Sequence, residues 1–518
     1  MIAKKVKKLH NEVKMKKLGI NTISNISTKL WSLISIYIFI PAYIQILGET
    51  SYGLVSFFAT LQTTLNLLGL GLSNTLRREF AAGEDTYINA VRKYKLLRSI
   101  ELIYFALSLI IIAICFGGAT FISVNWLHIE ELNPIIVEKV ISLMGISIAL
   151  QLIANLYSGC LFGLDYQVLA NNLCIAWSVA KSIGALMIIS IIESNLVYFY
   201  SWHIAVDFLY LVLLRYFSIK RLNCSGKAKW SFENITNLKS IWRYSCGILF
   251  ISCIAMINKE LDKVIISKFL TLTELGAYNV AITLGNLTTI IPAAVYTTVF
   301  PHFTYYATTN NTSLLSREFV NINKLVNIVL SAMGAFIAVY SLPLIKIWTG
   351  SDEYIDILGA VGGLVVVAVT IAEYQEIPYA LALANGNTKY NIIVGSIFIP
   401  VIGIATFLGI KNFGLLGAGI VYIAMMLGQT LVYEYLVFKK YIDKNPILMI
   451  VKSLISPLFI SLSIALLSKI VINQFYPNVW IQFIYAVICG TITLLMLVFF
   501  MAHDELNIIY KKVKGEKI

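Results

Sequence analysis

Residues 46–65 read ILGETSYGLVSFFATLQTTL, and residues 269–288 read FLTLTELGAYNVAITLGNLT. At this offset of 223 residues Gly53 falls on Gly276, Thr60 on Thr283 and, further along, Phe80 on Phe303. Around these stretches apolar runs of membrane-spanning length recur, at 20–40, 52–72, 99–124, 138–163, 168–191, 196–217, 241–268, 276–301, 324–347, 355–385, 389–409, 414–438, 447–472 and 480–502. A helix needs about 20 apolar residues to cross a bilayer, so each run is a candidate transmembrane helix. The same offset carries the first six runs onto the next six, and Gly163 at the end of the fourth onto Gly386 at the end of the tenth. One constant offset over six span positions carries more weight than the sparse identities. The expectation is an all-α polytopic membrane protein of about fourteen spans, with two parallel six-helix lobes and two C-terminal helices. Parallel repeats of this kind are a transporter arrangement.

Composition supports this class. Of the 518 residues, 58% are hydrophobic and only 13% charged, against roughly 45–50% and 25% in soluble proteins. The seven cysteines show no CxxC pair and no histidine at ligand spacing, which argues against a disulfide scaffold or a zinc site. No GxxxxGK[ST] occurs, so no ATP-driven step is expected, and no cofactor is implied. The net charge of +13 would suggest nucleic acid in a soluble protein. Here it reads as cytoplasmic loops rich in Lys and Arg, with no nucleic-acid partner.

Those basic residues set the orientation. Lys4, Lys5, Lys7, Lys8, Lys14, Lys16 and Lys17 precede the first span, and Arg77, Arg78, Arg92, Lys93, Lys95 and Arg98 follow the second. The opposite loops hold the sparser Lys139, Lys268, Lys346, Lys411 and Lys469, with Glu49, Glu130, Glu131, Glu193, Asp352 and Glu353. The positive-inside rule places both termini in the cytoplasm. The expected organisation is a basic tail over 1–19, an N-lobe over 20–217, a linker over 218–240, a C-lobe over 241–438, two further spans within 439–502 and a tail over 503–518.

Ionisable residues inside spans each demand a reason, because a charge at the bilayer centre costs roughly 2.5–3.5 kcal/mol on insertion scales. Lys29 lies about nine residues into the first span, ~14 Å at 1.5 Å per residue. Asn21, Asn25, Thr28 and Ser32 share its face. Lys181 lies just past the middle of the fifth span, and an interhelical ion pair with Asp207 is the rival to a ligand role. Asp207 in the sixth span follows His203 by four residues, close enough to hydrogen-bond and to bind and release a proton, or Asp207 pairs with Lys181. In the seventh span Glu260–Lys263 and Lys259–Asp262 are i, i+3 pairs that can neutralise one another, and Lys259 is the member expected to stand free. Glu373 and Glu376 precede Pro378, so they sit beside an expected kink, as an ion site or a hinge. Polar stripes recur at Gln151, Asn155 and Ser158 and at Asn279, Thr283 and Asn286, where helix-to-helix contact is the simplest use.

The chain also resembles a known family. ILGETSYGL at 46–54, LGLGLSNTLRREFA at 68–81, NKELDKVIISKFLTLTELGAYNVA at 258–281, FPHF at 300–303 and KIWTG at 346–350 are similar, in order and spacing, to motifs of bacterial polysaccharide-repeat-unit flippases. These form the polysaccharide transporter branch of the MOP (multidrug/oligosaccharidyl-lipid/polysaccharide, MATE-like) exporter superfamily. The resemblance covers residues from about 17 to 440. It implies a non-enzymatic carrier of an undecaprenyl-diphosphate-linked oligosaccharide, of O-antigen or capsule type, across the bacterial inner membrane. Such a carrier works by alternating access and uses H⁺ or Na⁺. Membrane lipid, a polysaccharide polymerase and a chain-length regulator are the implied partners. On that reading Lys29, Lys181 and Lys259 meet the diphosphate, and Asp207, His203 and Glu373 handle the ion. The competing readings are an ion-coupled drug exporter or a peptidoglycan-precursor flippase of the same superfamily, and an integral-membrane polymerase or glycosyltransferase. The last needs a large exposed loop, and no periplasmic loop expected here exceeds about 15 residues.

Overall fold

The computed structural model describes residues 2–81, 87–129, 132–222, 238–475 and 478–502, and they are helical nearly throughout. In chain order the helices are α1 (Ile2–Leu47), α2 (Glu49–Ala81), α3 (Tyr87–Phe121, continued by a π-turn over Ile122–Trp126), α4 (Pro134–Gly163), α5 (Gln167–Ile191), α6 (Leu196–Leu222) and α7 (Leu238–Phe269). Then come α8 (Leu272–Gly285), α9 (Ile290–Thr308), α10 (Thr312–Val339), α11 (Ser341–Thr349), α12 (Glu353–Leu358), α13 (Val361–Glu373), α14 (Glu376–Ala384), α15 (Lys389–Tyr441), α16 (Pro446–Ile450), α17 (Ser456–Phe475) and α18 (Val479–Met501). Caps mark several starts. Asn133 accepts from the Ile135 amide ahead of Pro134, and Thr271 and Glu274 form a reciprocal capping box on α8. Among the described residues, eleven helical runs are long and apolar enough to cross a membrane, so this is a multi-pass membrane protein.

The chain forms two compact units, Met1–Met256 and Ile257–Ile518. In the first, α4 is the central post and packs against α2, α3 and α6, while α1 pairs with α5. A helix apolar all round belongs inside, and most of α4 is buried. Close approach replaces the hydrophobic effect as the cohesive force between membrane helices. A Cβ on Gly145 would stand 2.4 Å from the Cys115 Cβ, and one on Gly159 2.6 Å from the Ser73 Oγ. In the second unit α13 takes the central role against α8, α10 and α15, and α17 and α18 cover α10. Adding 223 to the bounds of α2 to α6 lands on α8–α9, α10–α11, α13–α14 and the two arms of α15. The repeat is thus present in the element bounds and in which neighbours each helix takes.

The structure adds detail to the sequence expectation. Among the described residues α2 and α7 are not counted in the eleven, and both arms of α15 count as one. Those arms meet at Gly414, which holds φ 57° and ψ −140°, at the expected turn over 409–414. The basic segment before residue 20 is the start of α1, since it lacks proline and is rich in helix-forming Lys, Leu and Met. The eighth, ninth and tenth apolar runs are interrupted, at 286–289, at Tyr340 and at Tyr374–Gln375, where the hydrophobic pattern continues unbroken.

Candidate functional site

Within the first unit, the ionisable residues of α5 and α6 converge on one carboxylate. Asp207 has no exposed surface. Its Oδ1 accepts from Trp177 Nε1 at 2.7 Å and Lys181 Nζ at 3.2 Å; its Oδ2 accepts from Ser147 Oγ at 2.5 Å, Gln151 Nε2 at 2.9 Å and Lys181 Nζ at 3.3 Å. Gln62 of α2 in turn donates to the Gln151 Oε1. Lys181 Nζ lies 5.0 Å from the Trp177 ring, which stacks on Tyr210 at 5.0 Å. Four helices therefore contribute to one closed network around a single ion pair. A buried pair holds when its remaining lone pairs and protons are satisfied, and here the acid is saturated. Lys181 thus already has its counter-charge, which is the rival arrangement stated above.

The expected hydrogen bond between His203 and Asp207 is absent. The His203 ring lies 4.2 Å from Phe199 and 5.5 Å from Tyr200, and neither ring nitrogen has a partner among the described residues. The physical reason is competition: donors from α4 and α5 fill both carboxylate oxygens. Lys29 is also placed differently from its stripe. Asn21 donates to Asp165 at 3.0 Å, Asn25 to Gln167 at 3.0 Å, and Asn171 to Asn25 at 2.6 Å, so that stripe joins α1 to the start of α5. Lys29, one turn beyond Asn25, is exposed and makes no ion pair or hydrogen bond among the described residues.

In the second unit the charged run of α7 sorts itself as half expected. Glu260 pairs with Lys263, both buried. Asp262 does not take Lys259; its Oδ2 accepts from Tyr278 of α8 at 2.7 Å. Lys259 is left exposed and within electrostatic reach of Glu373, which also feels Glu376. Glu373 ends α13 and Glu376 begins α14, so the acids flank the break at Tyr374–Gln375. Pro378 lies in the first turn of α14, where a missing amide hydrogen is harmless. Beside Glu376, Phe300, Tyr296 and Tyr379 stack with centroids 5.6 and 6.3 Å apart. The structure thus joins Lys181 to Asp207 in an ion pair and leaves Lys259 within electrostatic reach of Glu373. A free ammonium next to carboxylates and stacked aromatic faces offers an anion, a cation and a sugar ring one partner each.

Some participants were missed in the sequence. Ser147 and Trp177 hold Asp207, yet only Gln151, four residues after Ser147, stood out. Glu434 of α15 is fully buried and neither oxygen has a hydrogen-bond partner. Its signal was a lone acid in an apolar run. The second polar stripe is inward-looking: Asn279 and Thr283 bond back to their own helix.

The architecture matches solved transporters. The lipid II flippase MurJ in an inward closed conformation is similar over 95% of this chain and 99% of its own, with TM-score 0.70 and 13% identity. An inward-facing multidrug resistance MATE transporter of the MOP superfamily is similar over 78% of this chain and 92% of its own, with TM-score 0.60 and 12% identity. A mutant of the Vibrio cholerae MATE transporter VcmN gives 0.56 and 13% over 82% and 98%. At these identities the likeness concerns the fold, a MurJ- and MATE-like bundle. No curated protein sequence matches the chain. The model of the family described as polysaccharide biosynthesis protein matches residues 16–307, more than half of the chain, and the chain belongs to that family.

Proposed function

We propose that this protein is a flippase for an undecaprenyl-diphosphate-linked oligosaccharide repeat unit, working by ion-coupled alternating access in the bacterial inner membrane. The observation that carries the reading is the family match combined with a flippase-like fold that accounts for the two C-terminal helices. MurJ is matched over 99% of its own length together with 95% of this chain, whereas the MATE likeness covers 78% of this chain. That difference favours a lipid-linked cargo over a small drug. In this reading the chain crosses the membrane fourteen times with both termini in the cytoplasm, as lobes over 20–217 and 241–438, a linker over 218–240 and two further spans within 439–502. Polymerase and chain-length regulator act on the product afterwards.

The lysines then divide the work. Lys29 and Lys259, exposed and outside any ion pair, meet the diphosphate. Lys181 holds Asp207 and so keeps the first unit together. Glu373, within electrostatic reach of Lys259, is the acid that feels an anion arriving there. His203 lies in an aromatic pocket beside Phe199 and Tyr200 and is the nearby ring that could take a proton.

The test is reconstitution. Proteoliposomes containing the protein receive fluorescent undecaprenyl-diphosphate oligosaccharide, and a membrane-impermeant quencher reports which leaflet holds it. The expected result is transfer that depends on an H⁺ or Na⁺ gradient. Transfer of lipid II at the same rate would move the assignment to peptidoglycan precursors, and no transfer of either would end it.

A further inference from the structure

Glu434 lies on the second arm of α15 with no exposed surface, and no hydrogen-bond partner reaches either carboxylate oxygen. It is not alone. Asn323 and Asn327 on α10 are also fully buried, and neither the amide nitrogen nor the oxygen of either has a partner. Six buried polar atoms on three side chains are thus left without a partner among the described residues. Buried polar groups are almost always paired, so a cluster of exceptions asks for a missing component.

Asn323 and Asn327 stand on successive turns of α10, and contacts on either side of them tie that helix to the neighbourhood of Glu434. On one side the rings of Phe319 and Phe438 meet edge to face at 5.6 Å. On the other, Ser331 Oγ and Tyr374 OH are 2.7 Å apart, Gln375 donates to Thr430 at 2.8 Å, and Thr430 donates to the Ile371 carbonyl at 3.1 Å. Residues four apart share a helix face. Along α10 the sequence 319, 323, 327, 331 runs from the aromatic floor to the hydroxyl ceiling; along α15 the sequence 438, 434, 430 does the same. Asn323, Asn327 and Glu434 therefore occupy the space between.

No cationic side chain pairs with Glu434 among the described residues. The titratable groups on the surrounding elements include Glu373, Tyr374, Glu376 and Tyr379 around the α13–α14 break, Tyr433, Lys439, Lys440 and Tyr441 on its own helix, Arg317, Glu318 and Lys324 on α10, and Lys452 in the π-helical turn over Val451–Ile455. Lys324 has a partner of its own. An isolated carboxylate in such a place must be neutralised. We propose that Asn323, Asn327 and Glu434 form a buried site for one monovalent cation, a proton or Na⁺, carried on the Glu434 carboxyl and completed by the two amides. With a proton, the acid donates to an amide oxygen. With Na⁺, a carboxylate oxygen and two amide oxygens give three hard oxygen ligands. This deepens the transport reading by giving the ion a place away from Glu373. It rests on that reading only for its use, because cation binding is measured without cargo.

Wild-type protein in membranes is treated with dicyclohexylcarbodiimide, which couples to protonated carboxyls in apolar surroundings, and the peptide carrying Glu434 is weighed by mass spectrometry. Glu434 is expected to be modified. If the cation is Na⁺, replacing choline by Na⁺ at constant pH lowers the modification several-fold. If it is H⁺, modification falls as pH rises and Na⁺ has no effect. In purified protein the matching shift of Tm with Na⁺ or pH is expected to vanish in Glu434→Gln and to weaken in Asn323→Ala and Asn327→Ala. A Glu434 that stays unmodified, or that reacts equally at every pH and Na⁺ concentration, overturns the proposal. So does a Glu434→Gln protein with the wild-type Tm response. Failure of cargo transport in the proteoliposomes, with cation binding intact, would leave this site standing and remove only the flippase reading.

Discussion

Lys181 illustrates how a residue in a membrane span states its role through its partners. Its ammonium lies on Asp207, and the carboxylate also takes donors from Trp177, Ser147 and Gln151. Removing one member of such a pair leaves the other buried and uncompensated, typically worth ~3–5 kcal/mol. Lys181→Ala or Asp207→Asn alone should therefore lower the amount of protein in the membrane and its thermal stability, while the double variant recovers both. Loss of export in the double variant at wild-type protein level would instead return Lys181 to the cargo. Lys29 and Lys259 should behave otherwise. Lys259→Ala is expected to reduce export at unchanged protein level, with Lys259→Arg retaining much of it; a drop in protein level would show a structural role. The sequence displayed every one of these charges, because a Lys or Asp in an apolar run is conspicuous. It did not display how Asp207 is shared, since Ser147 and Gln151 reach it from a helix some sixty residues away. Glu434 was visible as a lone acid in an apolar run but not as a site. Its oddity is the lack of a partner, which only packing reveals.

At the scale of the helix, length was legible and interruption was not. A hydrophobic run shows where the chain can lie in a bilayer, but it reads the same whether or not the axis breaks within it, as at Tyr340 and at Tyr374–Gln375. Glycine gives the clearest local signal. Gly414 joins the two arms of α15 at φ 57° and ψ −140°, a conformation that side chains with a Cβ rarely enter. Nothing lies within 4 Å of where that Cβ would stand, so backbone strain and not a clash is the obstacle. Gly414→Ala is therefore expected to cost about 1–3 kcal/mol and to lower the thermal unfolding midpoint. An unchanged midpoint would mean the turn accepts another geometry. Thr271→Ala, which opens the capping box at the head of α8, should cost about 1 kcal/mol and serves as the milder comparison.

For the whole molecule, the repeat was the most legible feature. An offset read from two glycines and a threonine reappears in the bounds of five consecutive helices and in the neighbours of the central posts α4 and α13. The residues themselves have diverged: the carboxylate network of α4, α5 and α6 has no charged counterpart at 223 residues' distance, where Lys181 falls on Ile404 and Asp207 on Thr430. Repetition of shape with divergence of polar content is what two units with different tasks require. Orientation rests on the basic loops alone and is tested directly. In a cysteine-free background, single cysteines within 125–137 and 350–355 should react with an impermeant maleimide added to intact cells, and those within 81–92 and 225–238 should not. Reaction in the last segment would invert the topology.

The ion pair of α5 and α6 also has a meaning during synthesis. The ribosome delivers Lys181 first, and Asp207 follows 26 residues later. Until then α5 is an apolar helix with an unanswered charge, poorly suited to leave the translocon alone. The short turn between Ile191 and Leu196 lets the two helices exit as a hairpin, with the charge cancelled at the moment of release. A chain that loses either residue is then exposed to membrane proteases as it is made, and a missing surface polymer in such a strain reports on biogenesis before it reports on transport.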